Sequence, residues 1–132
     1  MKVVADSHAI IWQSQRSPEL SEGAANALLE AEETDGVVVS VASLIDLWYV
    51  TQTTKTVTDA DLAELREKIA ASPELSLHPI DEDVTDATTA IPRDTLADPW
   101  DRFIVATAKV LEVPLVTRDR AIRDSGLVPT IW

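Results

Sequence analysis

The sequence predicts an α/β protein, a three-layer α/β/α arrangement around a central five-stranded parallel sheet. Three observations predict it. Short β-branched runs alternate along the chain with amphipathic helical stretches, the pattern of a parallel sheet covered on both faces. Two of these runs, Val3-Val-Ala-Asp6 and Leu115-Val-Thr-Arg-Asp119, reach a carboxylate just where a helix should begin. The stretch from Pro99 to Leu111 reads as a helix apolar on most of its circumference, which suits a deep position. At 132 residues the chain is expected to form one domain, residues 1–132, with a full core.

Lys2-Val-Val-Ala-Asp6 reads as a short buried strand, and His8 to Gln13 as a helix carrying Ile10, Ile11 and Trp12. Ser17-Pro18 marks a loop. Ser21 can cap a helix over Glu22–Glu33, with Ala24, Ala27, Leu28 and Ala31 on one face, and Asp35-Gly36 ends it. Val37 to Ser40 is a second strand. Val41 to Val50 then reads as a helix with Leu44, Leu47 and Trp48 inward. Thr58 can cap Asp59 to Ala70, and Leu75 to Ile80 alternates like a strand. Asp81, Glu82 and Asp83 suit the positive end of a helix that runs to Ala90. Pro92 to Ala97 is a loop. The apolar helix follows it, with Asp98 and Asp101 at its N-terminal end and Pro99 in its first turn. Val113 to Thr117 is a fourth strand and Ala121 to Asp124 a short helix closed by Gly126. Val128 to Trp132 is a fifth strand, placed at an edge because its proline removes a ladder donor.

Composition narrows the chemistry. There is no cysteine, so no disulfide or thiolate chemistry, and His8 and His78 are too few and too scattered for a zinc site. No apolar stretch approaches membrane-spanning length, so a cytoplasmic protein with no membrane association is expected. The formal net charge is −12, unevenly spread. Residues 1–58 carry three basic and eight acidic side chains, residues 59–98 three and eleven, and residues 101–132 five and four. Broad attraction to nucleic acid is therefore not expected. A polyanion must be held locally, by Arg102, Lys109, Arg118, Arg120 and Arg123, or through bound cations.

The candidate site is built of carboxylates in apolar surroundings. Asp6 and Asp119 each follow a strand at the edge where open α/β sheets bind ligands, and they face each other if the first and fourth strands are neighbours. Asp98 and Asp101 head the apolar helix. Asp46 is the only charge between Asp35 and Lys55, with Ser40 and Ser43 close by. The competing role for each is structural, as a helix cap or a solvent-facing acid. Four or five convergent carboxylates repel each other unless cations fill the site, and hard oxygen ligands select Mg²⁺ or Mn²⁺ over zinc. One or two such ions, with water completing the shell, suit in-line attack on a phosphodiester.

Four pieces of sequence, in order, resemble a known family: Val4-Ala-Asp-Ser-His-Ala-Ile-Ile-Trp12, Ser40-Val-Ala-Ser-Leu-Ile-Asp46, Asp98-Pro-Trp-Asp-Arg-Phe-Ile-Val-Ala-Thr-Ala108 and Leu115-Val-Thr-Arg-Asp119. The chain resembles a PIN domain, and within that group a VapC-type toxin, over nearly its whole length. The resemblance implies a Mg²⁺- or Mn²⁺-dependent endoribonuclease, a homodimer, and neutralisation by a small VapB-like antitoxin. It implies that Asp6, Asp101 and Asp119 are metal ligands and catalytic, with Asp98 an additional acid of a subgroup and Thr117 the hydroxyl near the metal. Asp46 stands where the family usually has Glu, one methylene longer. Ser40 and Ser43 are expected to support the site, and Arg102, Arg118 and Arg120 to meet RNA phosphates. Two other classes compete. One is a degenerate module that binds antitoxin or RNA without cleavage. The other is a phospho-acceptor receiver domain, which would need paired acids after the first strand and a lysine after the fifth.

Overall fold

The computed structural model describes residues 1–132. Its elements run β1 (Val3–Ala5), α1 (Ser7–Gln15), α2 (Glu22–Glu33), β2 (Val37–Ser40), α3 (Val41–Thr53), α4 (Asp59–Ala71), β3 (Leu75–His78), α5 (Glu82–Thr89), α6 (Pro99–Leu111), β4 (Leu115–Val116), α7 (Arg120–Ser125) and β5 (Thr130–Ile131). The five strands form one sheet in the order β3-β2-β1-β4-β5, all parallel. From β1 the chain builds outward through β2 to β3, then returns to lay β4 on the other side of β1. The crevice of this topological switch opens between the carboxyl ends of β1 and β4.

The strands are apolar on both faces, as sequence alternation alone would not give but a two-sided core requires. Successive side chains point to opposite faces. Val3, Ala5, Val37, Val39 and Val116 join α1, α2 and α4 in one core cluster, together with Leu44 and Leu47 of α3. Val4, Val38 and Leu115 join Val84 of α5, Ile104, Val105 and Ala108 of α6, and Ile122 of α7 in the other. The sheet is thus the middle of three layers. None of the helices is long and apolar enough to cross a membrane.

Helix boundaries follow local chemistry. Ser21 and Thr58 accept amide hydrogens two or three residues inside their helices, and Thr58 shares a reciprocal capping box with Asp61. Gly126 ends α7 in the left-handed region at φ 68°, a conformation that costs glycine little. The expected elements all form, with three adjustments. α3 runs three residues further than Val50, and of its expected inward residues Leu44 and Leu47 are buried while Trp48 is 47% exposed, turned away from the core. β3 stops at His78 and is a half-exposed edge, with Leu77 44% exposed. β4 and β5 are two-residue strands, because Pro114 and Pro129 lack the amide hydrogen a ladder needs. Their carbonyls still pair, accepting from Val4 at 3.0 Å and from Leu115 at 2.9 Å, so the sheet stays continuous past the prolines.

α6 lies where its composition requires. It packs on α5 and α3 and reaches β1 and β2. Ile104 through Ala108 are all buried, while Lys109 is exposed. Burial of that run holds the N-terminus of α6 at the mouth of the crevice, and with it Asp98 and Asp101.

Candidate active site

Five carboxylates line one cleft of about 470 Å³: Asp6 and Asp119 at the ends of β1 and β4, Asp98 and Asp101 at the start of α6, and Asp46 within α3. His8, Ala9, Trp12, Arg118 and Arg120 complete its walls. Each acid is placed by the backbone that precedes it. Asp6 leaves β1, whose last amide pairing with β4 runs from Asp6 to the Val116 carbonyl at 2.9 Å. It is the N-cap of α1 and is 9% exposed. One carboxylate oxygen accepts from the Ser7 amide at 2.8 Å and the other from the Thr117 hydroxyl at 2.6 Å. Thr117 is fully buried at the end of β4, and its hydroxyl oxygen accepts from the Asp119 amide at 3.0 Å. Asp119 caps α7, accepting from Ile122 at 2.9 Å. Hydrogen bonds thus join the ends of β1 and β4 across the switch point, and the threonine is the link.

Asp98 caps α6 by accepting the Asp101 amide hydrogen at 3.0 Å. Asp101 is therefore the third residue of α6 and not itself a cap. Its side chain makes no hydrogen bond within the protein. Burial, followed by the charges of Asp6, Asp98, Asp119 and Asp46, pushes its carboxyl up to about 8. The Asp6 carboxyl is also raised. Burial is the main cause, and Asp46 and Asp119 add to it against the opposing bonds from Thr117 and Ser7. Capping and convergence on the cleft, set against each other in the sequence, coexist: Asp6, Asp98 and Asp119 each give an oxygen to a helix and still line the cleft.

The donor set suits a hard divalent cation, being all carboxylate oxygen with mutual repulsion to relieve. No group of three or more acids or histidines stands close enough together to hold an ion as the side chains lie. Like charges at high density favour splayed rotamers, and three of the five acids are tethered to amides, so closing on a cation requires side-chain rotation.

Several expected site residues have other employment. Arg102 does not line the cleft. Its four terminal N–H groups donate to the carbonyls of Thr88, Ile91, Pro92 and Leu96 at 3.0, 2.7, 3.4 and 2.6 Å, tying the loop after α5 to α6. With four of its five N–H donors on carbonyls, the guanidinium is committed to holding this loop and not to the cleft. Arg118 does line the cleft, but its charge is engaged. It pairs with Glu19 at 3.1 Å and lies over Trp12, 4.5 Å from the ring centroid. Arg120 lines the cleft and has no ion-pair partner. Ser40 is fully buried and caps α3, accepting from Ala42 at 3.1 Å, so it supports the helix that carries Asp46. Ser43 is buried with its hydroxyl unpartnered and, like Ser40, does not line the cleft. His8, too isolated in the sequence to suggest a metal site, is a wall residue of the cleft. Its position one turn before Trp12, at the start of a helix that leaves the sheet edge, was the available clue.

The tryptophans divide into two sets. Trp12 packs against His8 and Trp132, with ring centroids 5.1 and 6.1 Å away. Trp48, Tyr49, Trp100 and Phe103 form a second run, each within 6.2 Å of the next.

No curated protein sequence matches the chain significantly. Among solved structures, the chain is similar to VapBC2 from Rickettsia felis bound to a DNA fragment from its promoter, at 13% identity and a TM-score of 0.73, covering 98% of this chain and 97% of that one. It is similar to FitAcB from Neisseria gonorrhoeae at 21% identity and a TM-score of 0.67, covering 97% and 95%. It is also similar to DNA-bound VapBC from Salmonella typhimurium at 19% identity and a TM-score of 0.67, covering 98% and 96%. At these identities the likeness is one of fold. The family model of the PIN domain matches residues 3–126, a span that includes every carboxylate of the cleft, and the chain belongs to the PIN domain family.

Proposed function

We propose that this chain is a divalent-cation-dependent endoribonuclease and the VapC-type toxin of a toxin–antitoxin pair, with residues 1–132 acting as one domain in the cytoplasm. The observation that carries the reading is the gathering of five acids at one switch-point cleft, with the carboxyl of Asp101 pushed up to about 8. Burial is the main cause of that shift and the charges of Asp6, Asp98, Asp119 and Asp46 add to it, a combination that marks functional clefts more often than exposed helix caps.

Asp6, Asp98, Asp101 and Asp119 would hold Mg²⁺, for which Mn²⁺ would substitute, and Asp46, shorter than the usual Glu, would reach it through water. When bound, the cation supplies positive charge for the charge developing on the phosphate and acidifies a water for attack. The chain's own groups do the rest. Thr117 and Ser7 fix the orientation of Asp6, and Asp98 fixes the first turn of α6, which carries Asp101. As a ligand Asp101 would be ionised, which a bound cation would favour against its burial and its acidic neighbours. Arg120, unpaired at the rim, is the side chain free to meet a phosphate.

Solved structures of similar fold include a toxin–antitoxin complex from Klebsiella pneumoniae and a member of the VapBC family of toxin–antitoxin systems from Mycobacterium tuberculosis, which supports an antitoxin partner here. The second aromatic run is the surface that suits it. Ile45, Trp48 and Tyr49 are 42, 47 and 49% exposed on the helix that carries Asp46. An apolar antitoxin segment laid there would bring a basic side chain to the carboxylates. Homodimerisation is a separate part of the proposal.

Cleavage of single-stranded RNA with Mn²⁺, repeated in excess EDTA, is the direct test. Cleavage abolished by chelator and by Asp101→Asn is expected; cleavage indifferent to chelator would falsify the metal assignment. One observation favours the non-cleaving alternative: no three acids are arranged to hold an ion. RNA binding without cleavage in the same assay would establish it.

A further inference from the structure

The wall of the cleft opposite in character to the acids is formed by Trp12 and Arg118. With a net charge of −12 and five carboxylates in the cleft, the protein cannot rely on long-range attraction to hold a polyanion. Beside local cations, binding then gains from contacts that do not depend on net charge, and stacking against a nucleobase is one of these. Trp12 is packed against His8 and Trp132, with ring centroids 5.1 and 6.1 Å away and both pairs tilted. Arg118 lies 4.5 Å from its ring centroid and is held at the edge by Glu19 at 3.1 Å, while its side chain remains 53% exposed. A guanidinium fixed over an indole, open to solvent and bordering the cleft, is a ready-made plane for a base.

We propose that the Trp12–Arg118 pair is a nucleobase subsite that stacks one unpaired base of the strand entering the cleft, and so selects single-stranded over duplex RNA. This rests on the nuclease reading and names how its substrate is held. A base inside a duplex has both faces covered by its neighbours and cannot offer one to the pair. Arg118 then acts chiefly through its planar face, with one edge of the guanidinium paired to the exposed Glu19. Arg120, unpaired on the same cleft, is left to hold the backbone.

The test is equilibrium binding of a labelled single-stranded RNA hexamer, of an abasic strand of the same length, and of a duplex. The protein is the full chain carrying Asp101→Asn, with Mg²⁺ present. Arg118→Lys keeps the charge, loses the plane and sits on an exposed side chain, so folding is not at stake. It should weaken the base-bearing strand about tenfold and leave the abasic strand unchanged. Trp12→Leu should do the same and Trp12→Phe should retain most of the affinity. Full affinity in Arg118→Lys, equal loss for the abasic strand, or equal binding of duplex and single strand would each overturn the subsite. Failure of the parent protein to bind any strand would overturn it as well. Wild-type protein that binds the hexamer with this base dependence but never cuts it would overturn the nuclease reading alone and leave the subsite standing.

Discussion

At the scale of single residues, Asp101 separates stability from function. Burial and the neighbouring carboxylates push its carboxyl up to about 8 in the folded chain, well above the ordinary carboxylate range, so the native state keeps a proton that the unfolded state releases. Between about pH 4 and pH 8 the unfolded state binds fewer protons, and metal-free stability should fall as pH rises through that window and level off above it. Thermal melts from pH 5 to 9 in EDTA check the sign. Asp101→Asn removes the titrating charge and leaves the cap, because Asp98 and not Asp101 closes the helix. The variant should lose the pH slope, gain about 1 kcal/mol or more at neutral pH without metal, and lose RNA cleavage. A variant that melts lower than wild type at pH 8 in EDTA would contradict the crowding on which the site is argued. Arg102 and Arg120 give a contrasting pair. Arg102→Ala strands four carbonyls and should cost about 2–3 kcal/mol, and lysine should not rescue it, since one ammonium cannot span the fork. Arg120→Ala should leave the denaturation midpoint nearly unchanged and weaken RNA binding. Denaturant titration beside RNA binding reads both.

At the scale of elements, the site is an outcome of how α6 is buried and how β1 meets β4. Ile104 is fully buried among residues of α6, α7 and the sheet, and Ile104→Ala should cost about 2–5 kcal/mol through lost burial and a cavity. A midpoint shift smaller than half of Arg102→Ala's would mean that α6 is held by its loop tether more than by its core. Thr117 is the corresponding joint in the sheet. Removing its hydroxyl leaves one oxygen of the buried Asp6 carboxylate without its donor and the Asp119 amide without its acceptor, so two acids on two strands lose their common reference.

At the scale of the whole molecule, charge sets the terms. A chain of net charge −12 with its acids concentrated at one cleft should gain most from a cation that binds only the folded form. Millimolar Mg²⁺ should raise the melting temperature of wild type more than that of Asp101→Asn, by mass action. Equal shifts would indicate general screening of surface charge and not a site. The same imbalance favours a basic partner. Mixing with a candidate antitoxin should suppress RNA cleavage, and substituting the exposed Trp48 should weaken that suppression without changing cleavage by the free chain.

The sequence by itself determined the class of fold, the order of the elements and the acids. Alternating short β-branched runs and amphipathic helices leave few arrangements other than a parallel sheet between helical layers, and capping residues mark helix starts locally, so both are written in neighbouring positions. Asp6, Asp98, Asp101 and Asp119 stood out for the same reason: each is a charge at the end of an apolar run. The neighbouring of β1 and β4 was only a condition in the sequence; the strand order decides it, because pairing between residues 4 and 115 depends on packing of the entire chain. Tertiary structure also decided the employment of the basic residues. Arg102, Arg118 and Arg120 are indistinguishable as sequence, yet one is bound to four carbonyls, one lies on an indole, and one faces the cleft unpaired. A long flexible cation takes its role from whatever the fold brings within its reach, and those partners lie as far as 99 positions away, between Arg118 and Glu19.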